Sequence, residues 1–277
     1  MIKLQTPSNN IQPRSSRVLR TLRKGGIVSV LKLNLSDPRS AEIAGYCGTD
    51  AIWLCNEHVP NDWSTIENQI RAAKLNNIDS IVRVSRGSYS DYIKPFEADA
   101  TGIMVPHVRT EEEARQIVEW TRFYPIGKRA LDGGNADAKF CLMPMDQYIR
   151  NANKERFIIL QIESPEALEN VDAIAAVPGY DILLFGAGDF SHRIGKAGQD
   201  DAPEVVAARK RIGKAATKYG KFAMSAGLPV PLRQMVKEGY RMFNVGADVV
   251  ALTEYFQREV GLLAAQTKKL KQSSAKN

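Results

Sequence analysis

The sequence predicts an α/β protein, a (β/α)8 barrel, on three observations: eight short β-branched or apolar runs, amphipathic stretches with helix-start signals between them, and no GxGxxG turn. The runs fall at 26–34, 50–54, 79–84, 102–105, 157–162, 181–185, 221–225 and 241–245. Parallel strands buried on both faces read as unbroken apolar segments, as GIMV (102–105) and FIILQI (157–162) do. In 62–75, Trp63, Ile66, Ile70 and Ala73 recur at helical spacing behind Asp62 as N-cap, and Thr110 with Glu113 has the spacing of a capping box. Asp37-Pro38 and Ser164-Pro165 each set an N-cap before a proline at the first helical position. Eight such units without a dinucleotide turn favour closure over an open doubly wound sheet and give no reason to expect a nucleotide cofactor. The irregular stretch from Tyr124 to Pro144 contains Asp132-Gly133-Gly134-Asn135 and is long for a connection, as functional or mobile loops are.

With 277 residues, 44% of them hydrophobic, the chain can bury the core of one barrel. We divide it into an N-terminal extension and first helix (1–24), the barrel (25–262) and a basic tail (263–277). Cys47, Cys55 and Cys141 are odd in number and form no CxxC pair, which favours a reducing cytoplasm and argues against structural zinc. Residues 1–10 hold no apolar signal core, and no run of about 18 apolar residues occurs, so neither a signal peptide nor a membrane partner is expected. The net charge of +7 is concentrated in part at the ends, in Arg14, Arg17, Arg20, Arg23 and Lys24 and in Lys268, Lys269, Lys271 and Lys276. Without aromatic interleaving these read as solvated ends rather than a nucleic-acid surface, while the positive field would attract an anionic small molecule.

Side chains just past the C-terminal ends of barrel strands line the active site. That rule selects Glu57 and His58, Arg83, Gln161 and Glu163, and Asp189 in Gly186-Ala187-Gly188-Asp189. Carboxylates from adjacent strand ends can share one hard cation, Mg²⁺ or Mn²⁺, leaving positions for water and substrate. Read alone, Glu163 is only a first-turn carboxylate stabilising the helix begun by Ser164, worth about 0.3–1 kcal/mol. No predicted strand-end position offers a lysine in an apolar setting, so a Schiff base is not expected.

The ordered set Gly48–Asp62 (GTDAIWLCNEHVPND), Ile81–Arg83, Gly102–Val108 (GIMVPHV), Gln161–Glu163 (QIE) and Phe185–Asp189 (FGAGD) resembles the HpcH/HpaI family of metal-dependent pyruvate aldolases, in the citrate-lyase-like superfamily, over roughly residues 20–262. The resemblance implies a barrel of the phosphoenolpyruvate/pyruvate type, a C-terminal helix exchanged between subunits and a homo-oligomer, a trimer of dimers. It implies reversible cleavage of a 2-oxo-4-hydroxy acid to pyruvate and an aldehyde through a metal-stabilised enolate. By the same likeness Glu163 and Asp189 match the metal ligands (Mg²⁺ or Mn²⁺, with Co²⁺ open), His58 the acid/base, and Arg83 the contact to the 2-oxo group. Gln161 matches a nearby polar contact, and the amides of Gly188 and Asp189 the turn that holds the pyruvate carboxylate. Two positions depart from the pattern. Cys55 stands where an aspartate pairs with the histidine, and a thiol cannot stabilise imidazolium as a carboxylate does; Glu97 stands where an aspartate is usual. Two alternatives stay open: a homologue that binds metal and 2-oxo acid without turnover, and a citrate-lyase-like acyl-CoA lyase. Outside the motif set, His107 and His192 read as loop and helix-surface residues, and Arg86 and Arg129 either bind a distal carboxylate or face solvent. Trp53, Trp63 and Trp120 read as core.

Overall fold

A computed structural model describes residues 12–274. Helix α1 (Arg17–Arg23) leads into β1 (Val28–Leu33), α2 (Pro38–Tyr46), β2 (Ala51–Cys55), α3 (Trp63–Leu75), β3 (Asp79–Arg83), α4 (Tyr89–Glu97), β4 (Gly102–Val105) and α5 (Glu111–Thr121). The second half runs α6 (Met145–Glu155), β5 (Phe157–Ile162), α7 (Pro165–Glu169), α8 (Val171–Ala176), β6 (Ile182–Phe185), α9 (Ala187–Arg193), α10 (Pro203–Lys218), β7 (Phe222–Ser225), α11 (Leu232–Lys237), β8 (Tyr240–Ala247) and α12 (Asp248–Ser274). All neighbouring strands are parallel, and β8 returns to β1 (Val28 opposite Met242), closing the barrel that the sequence predicts.

The helix starts follow their sequence signals. Asp62 accepts the Thr65 N–H at 2.6 Å, and Ser164 accepts that of Ala167 at 3.1 Å. The capping box at Thr110 forms only by half. Thr110 Oγ1 accepts the Glu113 N–H, but the Glu113 carboxylate turns to the guanidinium groups of Arg109 and Arg86 at 2.9 and 2.8 Å, because these cations outcompete an uncharged amide. The stretch between α5 and α6 carries one short 3-10 turn, Ala136–Ala138.

Alternate residues of each strand fill the barrel. Val28, Val30, Trp53, Ile81, Phe157, Ile159 and Met224 form an interior cluster, and Gly102 leaves the space that the Phe157 ring occupies. Val18, Leu19 and Leu22 of α1 join this cluster and close the lower end, the side of the strand N-termini. Three of the four arginines read as a solvated N-terminal run are docked: Arg14 pairs with Asp79 at 3.5 Å, Arg17 with Asp50 at 2.9 Å and Arg23 with Glu155 at 3.6 Å, while Arg20 is exposed. Their partners are distant in sequence, which is why a local charge pattern misreads them. Trp53 is core, while Trp63 and Trp120 are half-buried against the outer layer.

Helix α12 departs from the barrel plan. It runs through residues 262 and 263 without a break, so the division between barrel and tail falls inside one helix, and it buries none of its residues. Where a last barrel helix would lie, a groove of about 480 Å³ remains, lined by Leu31, Leu33, Ile43, Ala44, Val245 and Ala251 among others. No helix among the described residues is long and apolar enough to cross a membrane.

Candidate active site

The upper ends of β2, β3, β5 and β6 bring most of the predicted residues together. Arg83 closes β3, is 5% exposed, and lies with its guanidinium 4.9 Å from the centroid of Trp53. Its Nε is 3.0 Å from Glu57 Oε2. Glu57 Oε1 in turn lies 3.1 Å from His107 Nε2, and His107 Nδ1 lies 2.7 Å from Glu163 Oε1. The His107 backbone N–H also donates to that oxygen at 2.7 Å. His107 adopts φ 55°, a left-handed conformation uncommon for a non-glycine residue, and Arg86 holds its carbonyl at 2.7 Å. His107 is thus wedged between two acids of the site, contrary to its reading as an ordinary loop histidine. Its sequence signal was its position just past β4, in Pro106-His107-Val108.

Glu163 follows β5 and is 1% exposed. Gln161 Nε2 donates to Glu163 Oε2, leaving Gln161 Oε1 buried without a hydrogen-bond partner among the described residues. Gly186, at the end of β6, makes this approach possible: a Cβ there would lie 2.6 Å from Glu163 Cβ and 2.7 Å from Oε2. At Gly188, whose amide the resemblance assigns to the pyruvate carboxylate, a Cβ would meet only open space. Burial first, then the charges of Asp189 and Glu57, push the Glu163 carboxyl up to about 7 against the opposing His107 N–H and Arg83. Asp189, in the first turn of α9, is exposed and close enough for its charge to act on Glu163.

Cys55 ends β2 fully buried, and its sulfur accepts from the His58 N–H at 3.3 Å and from Arg83 Nε and Nη2 at 3.3 and 3.1 Å. It does not meet the imidazole. The His58 ring is largely exposed, and its Nε2 lies 3.5 Å from Glu57 Oε2, so the carboxylate beside His58 is its own neighbour in sequence.

Glu97, a candidate site residue, ends α4 on the outside of the barrel, in a pocket with Trp63, Lys94 and Phe140, because α4 packs behind the strands; within one chain it does not join the other candidates. Arg129 binds no distal carboxylate: it is buried, 3.1 Å from Asp137, and lies over Phe96 and Phe123. A lysine does face the upper barrel. Lys32 follows Val28 and Val30 on the inward side of β1, with Nζ 5.3 Å from the centroid of Trp53. Period-two alternation along β1 would have found it.

The acids Glu57, Glu163 and Asp189 face one buried cation, Arg83, and this excess of negative charge suits a divalent ion. Among the described residues no three His, Cys, Asp or Glu side chains are grouped as a closed metal site. A carboxylate pair leaves most of an octahedron to water and substrate, as Mg²⁺ sites do.

Fold and site together define a barrel enzyme with its chemistry at the strand C-termini. The HpcH/HpaI aldolase/citrate lyase family profile matches residues 29–254. A 5-keto-4-deoxy-D-glucarate aldolase of Klebsiella pneumoniae is 32% identical over 216 residues, 78% of this chain and 84% of the relative. A solved HpcH/HpaI aldolase/citrate lyase family protein from Burkholderia cenocepacia superimposes with TM-score 0.82 at 28% identity, covering 90% of this chain and 100% of that one. The citrate synthase SbnG superimposes with TM-score 0.82 at 27% identity, covering 92% and 99%. The chain belongs to the HpcH/HpaI aldolase/citrate lyase family. It is an enzyme, a carbon–carbon lyase of the aldolase class.

Proposed function

We propose that the enzyme reversibly cleaves a 2-oxo-4-hydroxy acid, of the sugar-acid kind named for its Klebsiella relative, to pyruvate and an aldehyde. The observation that carries this is Glu163, buried among acids beside Asp189 at adjacent strand ends with Arg83 as the nearby guanidinium. Glu163 and Asp189 would hold Mg²⁺ or Mn²⁺. When bound, the cation supplies Lewis acidity at the 2-oxo group. Arg83, fixed by Glu57 and Trp53, provides a permanent positive charge for the oxygen on which negative charge develops. Gln161 and the His107 N–H fix the Glu163 carboxylate. The amides of Gly188 and Asp189, in the first turn of α9, have no intrahelical acceptor and are suited to the pyruvate carboxylate. His58 moves the proton of the C4 hydroxyl, a step typically worth about 10²–10⁴-fold, with Glu57 in the orienting place that Cys55 leaves vacant.

The test is exchange of the pyruvate methyl protons in deuterated water, followed by NMR with added Mg²⁺ or Mn²⁺. Metal-dependent exchange that vanishes in Glu163→Ala supports the reading; oxalate binding without any exchange would contradict it. Retro-aldol turnover retained in His58→Ala would remove that histidine as the acid/base.

We also propose a homo-oligomer in which α12 of one subunit covers the groove of another, in a trimer of dimers. Tyr255, Phe256, Val260 and Leu263 are more than half exposed on α12, and the groove beside β1 and β8 is apolar. Light scattering should give a multiple of the chain mass, and Phe256→Asp should lower it. The three free cysteines suit a cytoplasmic enzyme.

A further inference from the structure

Lys32 is a charged side chain of the upper barrel that the reaction above does not use. On β1 the positions before it that face inward, Val28 and Val30, are fully buried, and Lys32 is the next inward position, half-buried where the barrel opens. Its Nζ and the Arg83 guanidinium lie on the same ring, Trp53, at 5.3 and 4.9 Å from the centroid. The two cations differ in what balances them. Arg83 is paired with Glu57 at 3.0 Å and donates to Cys55. The Lys32 side chain makes no ion pair or hydrogen bond among the described residues. The charges of two acids reach it, but Asp248 is committed to the N–H groups of Asn34 and Leu35 at 2.8 and 3.0 Å, and Glu57 to Arg83 at 3.0 Å. Burial, and then the nearby Arg83, lower the Lys32 ammonium pKa, outweighing the acids that act on it from a distance.

The strand order places β1 across the barrel from β5, the strand that leads to Glu163. A substrate held at its 2-oxo end near Glu163 extends its other end across the mouth. An ammonium at that far side, with no side-chain partner of its own, is suited to an anion on the aldehyde-derived half of the substrate.

We propose that Lys32 is a specificity-determining residue that binds a carboxylate on the aldehyde half, so that preferred substrates are anionic at both ends. This rests on the aldolase reading. The first test compares kcat/KM for aldol addition of pyruvate to succinic semialdehyde and to butanal, in the wild type and in Lys32→Met and Lys32→Arg. The readout is the ratio between the two aldehydes, so a general loss cancels. Lys32→Met should lower the ratio by about 10- to 100-fold, the worth of a charge-assisted hydrogen bond, and Lys32→Arg should keep part of it. An unchanged ratio in Lys32→Met overturns the proposal, leaving Lys32 as packing on Trp53.

The second test does not need turnover. Calorimetry with Mg²⁺ compares 2-oxoglutarate with 2-oxopentanoate, which carries a methyl where the former carries its second carboxylate. Tighter binding of 2-oxoglutarate that disappears in Lys32→Met supports the proposal; no such preference in the wild type, or one retained in the variant, overturns it. Absent proton exchange with a Lys32-dependent preference would refute the aldolase reading and leave the anion site standing. Intact exchange with a preference indifferent to Lys32 would do the reverse.

Discussion

The two ends of the barrel both bury acids but balance them differently. At the lower end, Asp99 is fully buried and meets Arg156, Lys74 and Lys139, with N–O distances of 2.5, 2.5 and 3.0 Å. Asp79 beside it accepts from Ser16 Oγ and the Val18 N–H at 2.7 and 2.9 Å. At the upper end, Glu57, Glu163 and Asp189 share one buried cation, Arg83, and the Glu163 carboxyl is pushed up to about 7. Burial raises Asp99 as well, yet its cations outweigh this and hold it below its ordinary value. A lower end with matched charges secures the fold, and an upper end short of positive charge is prepared for a cation from outside.

This contrast can be broken by substitution. Asp99→Asn should cost about 3–5 kcal/mol in stability, because it strands Arg156 without a counter-charge; denaturant unfolding measures this, and a loss below about 1 kcal/mol would show that the lower network is not structural. Glu163→Gln should act oppositely, lowering turnover on the order of 10²–10³-fold while leaving the metal-free melting temperature unchanged or raised, since it removes a buried charge. Gly186→Ala should cost about 1–3 kcal/mol in stability through overpacking against Glu163, with a fall in turnover as the carboxylate shifts. A mild stability loss with full activity would show that the close approach of β6 is dispensable.

A smaller effect concerns acid. The folded pKa of Asp99 lies below its ordinary 3.8, so its contribution to stability is complete above that value and lost as the pH falls through the folded pKa. The melting temperature of the wild type should fall more steeply below pH 3.8 than that of Asp99→Asn, and parallel curves would contradict the assignment.

Most of the fold was legible because a parallel strand buried on both faces leaves a continuous apolar run, and each of the eight predicted strands lies within two residues of the observed one. The candidate site was legible where strand ends could be located: Glu57, Arg83, Gln161 and Glu163 follow from that rule alone. His107 and Lys32 were passed over for different reasons. His107 stands just past β4, but the backbone angle that turns it onto its acids leaves no local mark, and Lys32 lies in an apolar strand where period-two alternation, not applied there, places it on the inward side with Val28 and Val30. Glu97 lies apart from the other candidates in this chain, and family spacing does not reveal which side of the sheet a helix end occupies. The path of α12 was out of reach in the periodicity, since a helix that buries nothing in its own chain still carries an apolar face.

Glu163 and Asp189 are proposed to hold one divalent ion. Binding of Mn²⁺, followed by its electron paramagnetic resonance signal, tests this most directly. We predict one saturable site per chain, weakened at least about 10–100-fold in both Glu163→Gln and Asp189→Asn. Equal affinity in the wild type and both variants would contradict it.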